Sequence, residues 1–261
     1  MKIACSVPIL TLNNEETLER LLSSLINFDD VYLVDGNSTD KTLEIAKKYN
    51  IPVYKQVDTN EPNVRISNFA EMRNRALSFA RYDWIFDIDS DEYITSELEN
   101  EISSFIESED ENIIGCIQRS PLLKSGRIIK YAFFMPDYYP RLFNLKTGIH
   151  FDPKKVVHET LIIPENVKSV YLKSTAISGW PTYDECIIKD NNYLSIMKKK
   201  RSGLGFRKGS RVAVINFLKA LNILRKSLYD KIMHPKDSLP IKFIWRFVRY
   251  HLILSKDAIK K

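Results

Sequence analysis

Trp84-Ile85-Phe86-Asp87-Ile88-Asp89-Ser90-Asp91-Glu92 runs from an apolar stretch straight into four carboxylates within six residues. The apolar part predicts a buried strand over Trp84–Ile88. Alternation along an extended chain points Asp87, Asp89 and Asp91 to one side. Three like charges there repel, a costly arrangement unless a cation sits among them. The competing reading is a solvated acidic turn with a helix N-cap at Thr95 or Ser96. Against it stands the position of the cluster, at the end of a buried strand, where open α/β sheets bind ligands. Oxygen donors with no His or Cys nearby suit Mg2+ or Mn2+ rather than zinc. Such cations usually bind substrate phosphates as well.

Working upstream, strand and helix signals alternate. Ile3–Leu10 reads as a buried strand, and Glu15–Ile26 as a helix with Leu18, Leu21, Leu22, Leu25 and Ile26 on one face. Val31–Val34 is a second strand, ended by Asp35-Gly36-Asn37-Ser38, and Asp40 is a good N-cap for a helix over Lys41–Tyr49. A strand over Val53–Val57 and helices over Phe69–Ala80 and Ser96–Ser108 complete the pattern. Such alternation implies βαβ units and a mostly parallel sheet, with the loops at Asn13, Asp35 and Asp89 at its ligand-binding edge. Downstream, Gly115–Arg119, Arg127–Tyr131, Leu161–Ile163 and Ser169–Leu172 predict short strands, read as antiparallel additions. From about residue 183 the pattern is helical. The expected organisation is an α/β domain over 1–182, divided at 112/113, and a helical appendage over 183–261. Only eight glycines are present, with no glycine-rich dinucleotide or P-loop motif.

The 261 residues are 44% hydrophobic and 28% charged, a globular composition. The net charge of +6 hides a split. Residues 1–190 carry 21 basic and 30 acidic side chains, net −9, whereas residues 191–261 carry 18 and 3, net +15. A chain-wide basic coat for nucleic acid is excluded, and an anionic partner must meet the C-terminal quarter. Cys5, Cys116 and Cys186 lack metal-ligand or disulfide spacing and read as reduced thiols. The apolar run after Met1-Lys2 lacks a small-residue cleavage site and fits a first strand better than a signal peptide. With no uncharged apolar run near the roughly 20 residues that span a bilayer, a cytoplasmic location is expected.

At this point the motifs carry a resemblance. Val34-Asp35-Gly36-Asn37-Ser38-Thr39-Asp40-Lys41-Thr42 resembles the V-D-x-x-S-x-D-x-T segment of the family 2 glycosyltransferases. Arg73-Asn74 with Ala76, then Asp83 through Glu92, resembles that family's R-N-x-A and D-x-D runs, and Ser6–Glu16 its opening strand and N-E-E loop. The resemblance implies a GT-A (Rossmann-like) fold, a mostly parallel mixed sheet flanked by helices, and a nucleotide diphosphate sugar as donor. It implies Mn2+ or Mg2+ on Asp89 and Asp91. It puts Asn13, Glu15, Asp35, Arg73 and Asp89 around the donor, with Asp35 at the base and ribose end and Arg73 near the base or diphosphate. A turn role capping Ser38 is the competing reading of Asp35. A cation bridging the diphosphate would neutralise the charge that develops on the leaving group.

Arg141-Leu142-Phe143 and Val157-His158-Glu159-Thr160-Leu161 resemble segments of short bacterial members that build the lipopolysaccharide core, with Lys189 and Tyr193 fitting a later K-x-x-x-Y. Those relatives include β-1,4-glucosyltransferase-like proteins. They usually carry a further His before that helix, where this chain reads Ile177-Ser178-Gly179-Trp180-Pro181. Inverting transfer needs one base beside the acceptor hydroxyl. Glu159 is the candidate, with Asp137 and Asp152 as rivals. His158 could be a metal ligand, a phosphate contact or part of the base, and His158-Glu159 could equally be a structural hydrogen-bonding pair.

In the tail, basic residues from Lys198 to Arg211 precede an apolar helix over Val212–Tyr229, and a second stretch, Ile241–Leu254, interleaves cations with aromatic and aliphatic residues. This fits an interfacial helix on an anionic membrane surface, through residues 198–261, or packing on the catalytic domain or a second subunit. Nucleic acid is disfavoured for want of a reading motif. The expected function is an inverting, metal-dependent glycosyltransferase using a UDP-linked sugar and a saccharide or lipid-linked acceptor in cell-surface glycan (lipopolysaccharide or capsule) synthesis, peripheral at the inner membrane face. The alternatives are a nucleotidyltransferase and a non-catalytic, membrane-docked nucleotide-sugar-binding module.

Overall fold

The computed structural model describes residues 2–108, 110–155, 159–201 and 206–259. The chain divides into two compact units, residues 1–119 with 137–178, and residues 120–136 with 179–261.

In the first unit, β1 (Ile3–Thr11), α1 (Leu18–Ser24), β2 (Phe28–Asp35), α2 (Thr42–Lys48), β3 (Val53–Lys55), α3 (Phe69–Leu77) and β4 (Trp84–Phe86) alternate as the periodicity requires. β5 (Glu92–Tyr93), α4 (Ser96–Ile106), β6 (Ile113–Leu122), β7 (Tyr138–Asn144), β8 (His150–Phe151), β9 (Leu161–Ile162) and β10 (Lys168–Gly179) follow. The main sheet has the order β3-β2-β1-β4-β7-β6-β10-β5. Its β3-β2-β1-β4 half is parallel, and β7 joins β4 and β6 antiparallel. This is the mixed, helix-flanked sheet expected of a GT-A fold. Its core holds Val7, Ile9, Leu33 and Phe86 from the strands, and Leu18, Leu21, Leu98 and Ile102 from α1 and α4. Each such side chain contributes roughly 1.5–3 kcal/mol by leaving water.

Several local expectations change. β4 stops at Phe86, so Asp87 to Asp91 lie on a turning loop and the strict alternation of a strand does not hold there. The Asp40 carboxylate accepts the Thr42 amide at 2.9 Å, although α2 begins only at Thr42. Arg127–Tyr131 forms no strand and makes only isolated bridges at Ile128 and Tyr131. Thr95 is the N-cap of α4, its hydroxyl accepting from the Leu98 amide.

The second unit holds α5 (Tyr183–Arg201), α6 (Phe206–Met233) and α7 (Ile241–Ile259). Leu123, Ile129 and Ala132 share a core with Ala220, Ile223, Phe243, Ile244 and Val248. α6 turns Gly209, Ala213, Ala220 and Ser227 inward. A β-carbon on Gly209 would lie 2.3 Å from the Ala258 carbonyl oxygen, so only glycine permits this approach of α6 to α7. Trp180 stacks on Phe134 with ring centroids 5.6 Å apart, a packing role. Among the described residues, no helix is long and apolar enough to cross a membrane. The three cysteines are free and buried.

Candidate active site

Register explains how the acidic loop finds its cations. β4 pairs with β7, Phe86 opposite Leu142, and the Asp87 amide donates to the Arg141 carbonyl at 2.8 Å. Arg141 therefore emerges beside the loop, 4% exposed. Its Nη1 lies 2.9 Å from Glu92 Oε2 and donates to the Asp87 carbonyl at 3.0 Å, while Nη2 donates to Asp89 Oδ2 at 3.2 Å. From the opposite side α3 delivers Arg73. The helix is capped by Asn68, whose side chain accepts from the Ala70 and Glu71 amides. It is clamped by Asn74, which exchanges two 2.8 Å hydrogen bonds with the Phe151 backbone. So held, Arg73 pairs with Asp87 through Nη1, with Asp89 Oδ1 through Nη2 at 2.6 Å, and with Glu159 Oε1 through Nε at 3.1 Å.

The cations among these carboxylates are thus guanidiniums, Arg73 and Arg141, with Arg119 Nη1 3.7 Å from Glu92 Oε1. Burial raises the Asp87 pKa against the pull of Arg73 and Arg141. Burial also acts on Asp89, but Arg141 and Arg73 outweigh it and hold that carboxyl well below the usual range. Glu92, 1% exposed, is pushed up to about 7 by burial despite Arg141. Burial disfavours the Arg73 charge, yet Asp87, Asp89 and Glu159 hold its pKa above the ordinary value. Environment pushes the carboxyl pKa values apart, and Asp89 stays anionic.

Asp91 stands outside this lock. It is exposed and joins no ion pair among the described residues. Desolvation within the crowded loop and the Asp89 charge raise its pKa against the weaker pull of Arg119 and Arg141. No group of three or more His, Cys, Asp or Glu among the described residues is arranged to hold a metal. Asp91 fits a hard cation that takes one or two protein carboxylates and completes its shell from phosphate and water, whereas both oxygens of Asp89 beside it already accept from Arg73 and Arg141.

Two cavities adjoin these groups. One, of about 480 Å³, is lined by Arg73, Asp89, Arg119, Tyr139, Phe151 and Glu159, among others. Of the three carboxylates weighed as base, Glu159 alone lines it. Asp137 accepts from the Tyr139 hydroxyl at 3.0 Å, and Asp152 closes a turn by accepting the Lys154 amide at 3.0 Å. His158 lies outside the described residues. Arg119, which stacks 3.8 Å from the Tyr139 ring centroid, reaches this cavity without any signal in the sequence.

The other cavity, of about 650 Å³, opens at the carboxyl end of β1, lined by Thr11, Asn13, Gln56, Asn63, Arg65 and Ser90, among others. Asn13 anchors its rim in a left-handed conformation, φ 56°, with Oδ1 accepting from the Thr39 amide and Nδ2 donating to Asn63. Glu15 faces away, tying its loop to Lys41 through that residue's amide. Asp35 is buried and accepts from Thr11 Oγ1, the Ser38 amide and Ser38 Oγ at 2.6–2.8 Å, so its turn-capping role is real. The chain after β3 folds back over this end, Val64 donating to the Gly36 carbonyl at 2.7 Å. Gly36 permits it, because a β-carbon there would meet the Val64 oxygen at 2.4 Å.

Residues 6–156 match the model of the family described as Glycosyl transferase family 2. Over 183 residues the chain is 29% identical to the poly(ribitol-phosphate) beta-N-acetylglucosaminyltransferase TarS of Staphylococcus aureus, covering 65% of this chain and 30% of that protein. It is thus similar to less than a third of TarS. It is 25% identical to the lipopolysaccharide core biosynthesis glycosyltransferase LpsC of Rhizobium meliloti, covering 79% and 74%. In fold it resembles the crystal structure of S. aureus TarS 1-349 in complex with UDP-GlcNAc, with a TM-score of 0.51, 17% identity and coverage of 96% and 90%.

Proposed function

The chain belongs to glycosyl transferase family 2, and on that premise we propose that it moves one sugar from a UDP-linked donor to a saccharide or lipid-linked acceptor in cell-surface glycan synthesis, lipopolysaccharide or capsule. The observation that carries the reading is the convergence of Asp89 and Glu159 on Arg73, with a cavity beside them. The similarity to TarS, a poly(ribitol-phosphate) transferase, and to LpsC, of lipopolysaccharide core biosynthesis, supports the acceptor class.

On this reading the 650 Å³ cavity takes the nucleoside, and the diphosphate lies toward Ser90 and Asp91. Asp91, with Asp89, would hold Mn2+ or Mg2+, which neutralises charge on the departing diphosphate. Arg73 orients Glu159 in the acceptor cavity, and Glu159 accepts the proton of the attacking hydroxyl. On this reading Glu159 acts from the face of the sugar opposite the leaving diphosphate, so that transfer inverts the anomeric centre. Residues 1–182 carry this chemistry. Residues 198–261, within a tail of net +15 over 191–261, dock on the anionic inner face of the cytoplasmic membrane.

Released nucleoside diphosphate, measured over a panel of donors with wild type and Asp91→Ala, tests the reading. UDP-sugar turnover that needs Mn2+ or Mg2+ and falls about a hundredfold or more in the variant is expected. Wild-type turnover in Asp91→Ala would remove the metal assignment. Nucleotide binding without transfer to any acceptor would favour a non-catalytic binding module.

A further inference from the structure

One polar atom in the wall of the nucleoside cavity has no partner. Gln56 follows β3 and lines the cavity while 2% exposed. Its Nε2 donates to two backbone carbonyls, Thr11 at 3.2 Å and Val34 at 3.1 Å. These two acceptors decide which end of the amide is which, because the flipped amide would set Oε1 against both oxygens. Oε1 is left buried and accepts nothing among the described residues. Buried polar groups of this kind are rare and point to a missing partner. Gly36 lies against it on the side where the Val64 backbone folds over, the Val64 oxygen 2.4 Å from the position of a built β-carbon. A β-carbon built there would lie 3.0 Å from Oε1 and 3.2 Å from Leu12 Cδ1. Asp35, the other buried acceptor at this end of the sheet, already takes three hydrogen bonds from Thr11 and Ser38.

We propose that Gln56 is the residue that reads the donor's nucleobase, its Oε1 accepting an imino N–H from the base. The inference rests on the nucleotide-sugar reading above. Uracil offers such a group at N3, whereas cytosine offers a lone pair at the same position and would face Oε1 acceptor to acceptor. A site built to bond one N–H rejects analogues that lack it far more strongly than an apolar pocket rejects a change of size. Guanine shares the imino chemistry at N1, and the experiment separates the two sources. The rival occupant of the nook, a water molecule, gives no discrimination at this position.

Binding of UDP, N3-methyl-UDP, CDP and GDP to the whole chain in Mn2+ would be measured by titration calorimetry. UDP should bind about tenfold or more tighter than N3-methyl-UDP and CDP. In Gln56→Leu, UDP affinity should drop to the N3-methyl-UDP level, with N3-methyl-UDP itself unchanged. The methylated nucleotide tests the intact protein, so a poorly folded variant does not decide the matter. Equal wild-type affinity for UDP and N3-methyl-UDP overturns the assignment and leaves the transferase reading standing. GDP binding in place of UDP keeps the imino contact and overturns the uridine donor. If no nucleoside diphosphate binds, the transferase reading fails and takes this one with it.

Discussion

Arg73 Nε donates to Glu159 Oε1 at 3.1 Å across a sequence separation of 86 residues, while the other nitrogens of the same guanidinium hold Asp87 and Asp89. One side chain thereby connects the end of β4 to the start of β9. Arg73 is both a structural counter-ion and the orienting group of the candidate base.

The structural part predicts a stability loss. Arg73→Ala leaves the buried Asp87 carboxylate facing Asp89 with one cation fewer. Breaking a buried pair in this way costs about 3–5 kcal/mol. Urea denaturation should show that loss, and Arg73→Ala with Asp87→Asn should recover part of it, since the unpaired charge is gone. An unchanged midpoint in Arg73→Ala would contradict the lock.

Glu159→Gln keeps size and hydrogen bonding but cannot accept a proton. Transfer should fall by about a hundredfold to ten-thousandfold, with donor affinity by calorimetry close to wild type. The side chain is 23% exposed, so the melting temperature should move little. Turnover within a few-fold of wild type would pass the base role to a residue outside the described cavity wall.

If the second unit docks on a membrane as proposed, α6 offers the face that would meet lipid. Val214, Phe217, Leu221, Leu224 and Leu228 recur at three- and four-residue steps and all are exposed. The helix carries seven basic residues and one acid, Asp230, so a second copy would bring like charges together whereas an anionic leaflet would not. α7 is a weaker candidate, because Phe243, Ile244 and Val248 are spent on the core. Leu221→Glu with Leu224→Glu should lower flotation with phosphatidylglycerol vesicles about tenfold or more, while Tyr171→Glu, an exposed control in the first unit, should not. A dimer by light scattering that the same double variant dissolves would assign this face to self-association.

The helical unit should also be acid-sensitive. Burial and Lys219 lower the pKa of His251, whose Nδ1 lies 3.0 Å from Asn216 Oδ1. The unfolded chain then binds the proton more readily, so stability is present above the unfolded value of about 6.5 and is lost as pH falls through it. The melting temperature should drop between pH 7.5 and about 5.5, and His251→Gln should flatten that slope. An equal slope in the variant would assign the sensitivity elsewhere.

Much of this is legible in the sequence. The βαβ order of residues 3–106 follows from periodicity, because each apolar face is set by local spacing. The carboxylate loop was recognisable from composition at a strand end, and Arg73 and Glu159 from motif resemblance. β7 carries no strand signal, because Pro140 and Arg141 within Tyr138–Asn144 break the apolar pattern. Arg127–Tyr131 has apolar residues but only isolated bridges, to Leu122 and Ser238, so no ladder builds it into a strand.

The sequence by itself determined the class of fold, the acidic loop and the charge contrast between −9 and +15, since all three reside in local order and composition. Tertiary structure alone decided what neutralises the loop. Like charges demand a cation, but local spacing does not say whether it is a metal or a side chain. Antiparallel β7 brings Arg141 alongside Asp87 and the Asn74 clamp aims Arg73 at Asp89, so guanidiniums neutralise those carboxylates while Asp91 joins no ion pair among the described residues. Tertiary structure also decided that Gln56, unremarkable in the sequence, keeps a buried oxygen without a partner. Both results come from pairings between distant segments, and sequence spacing carries no record of those.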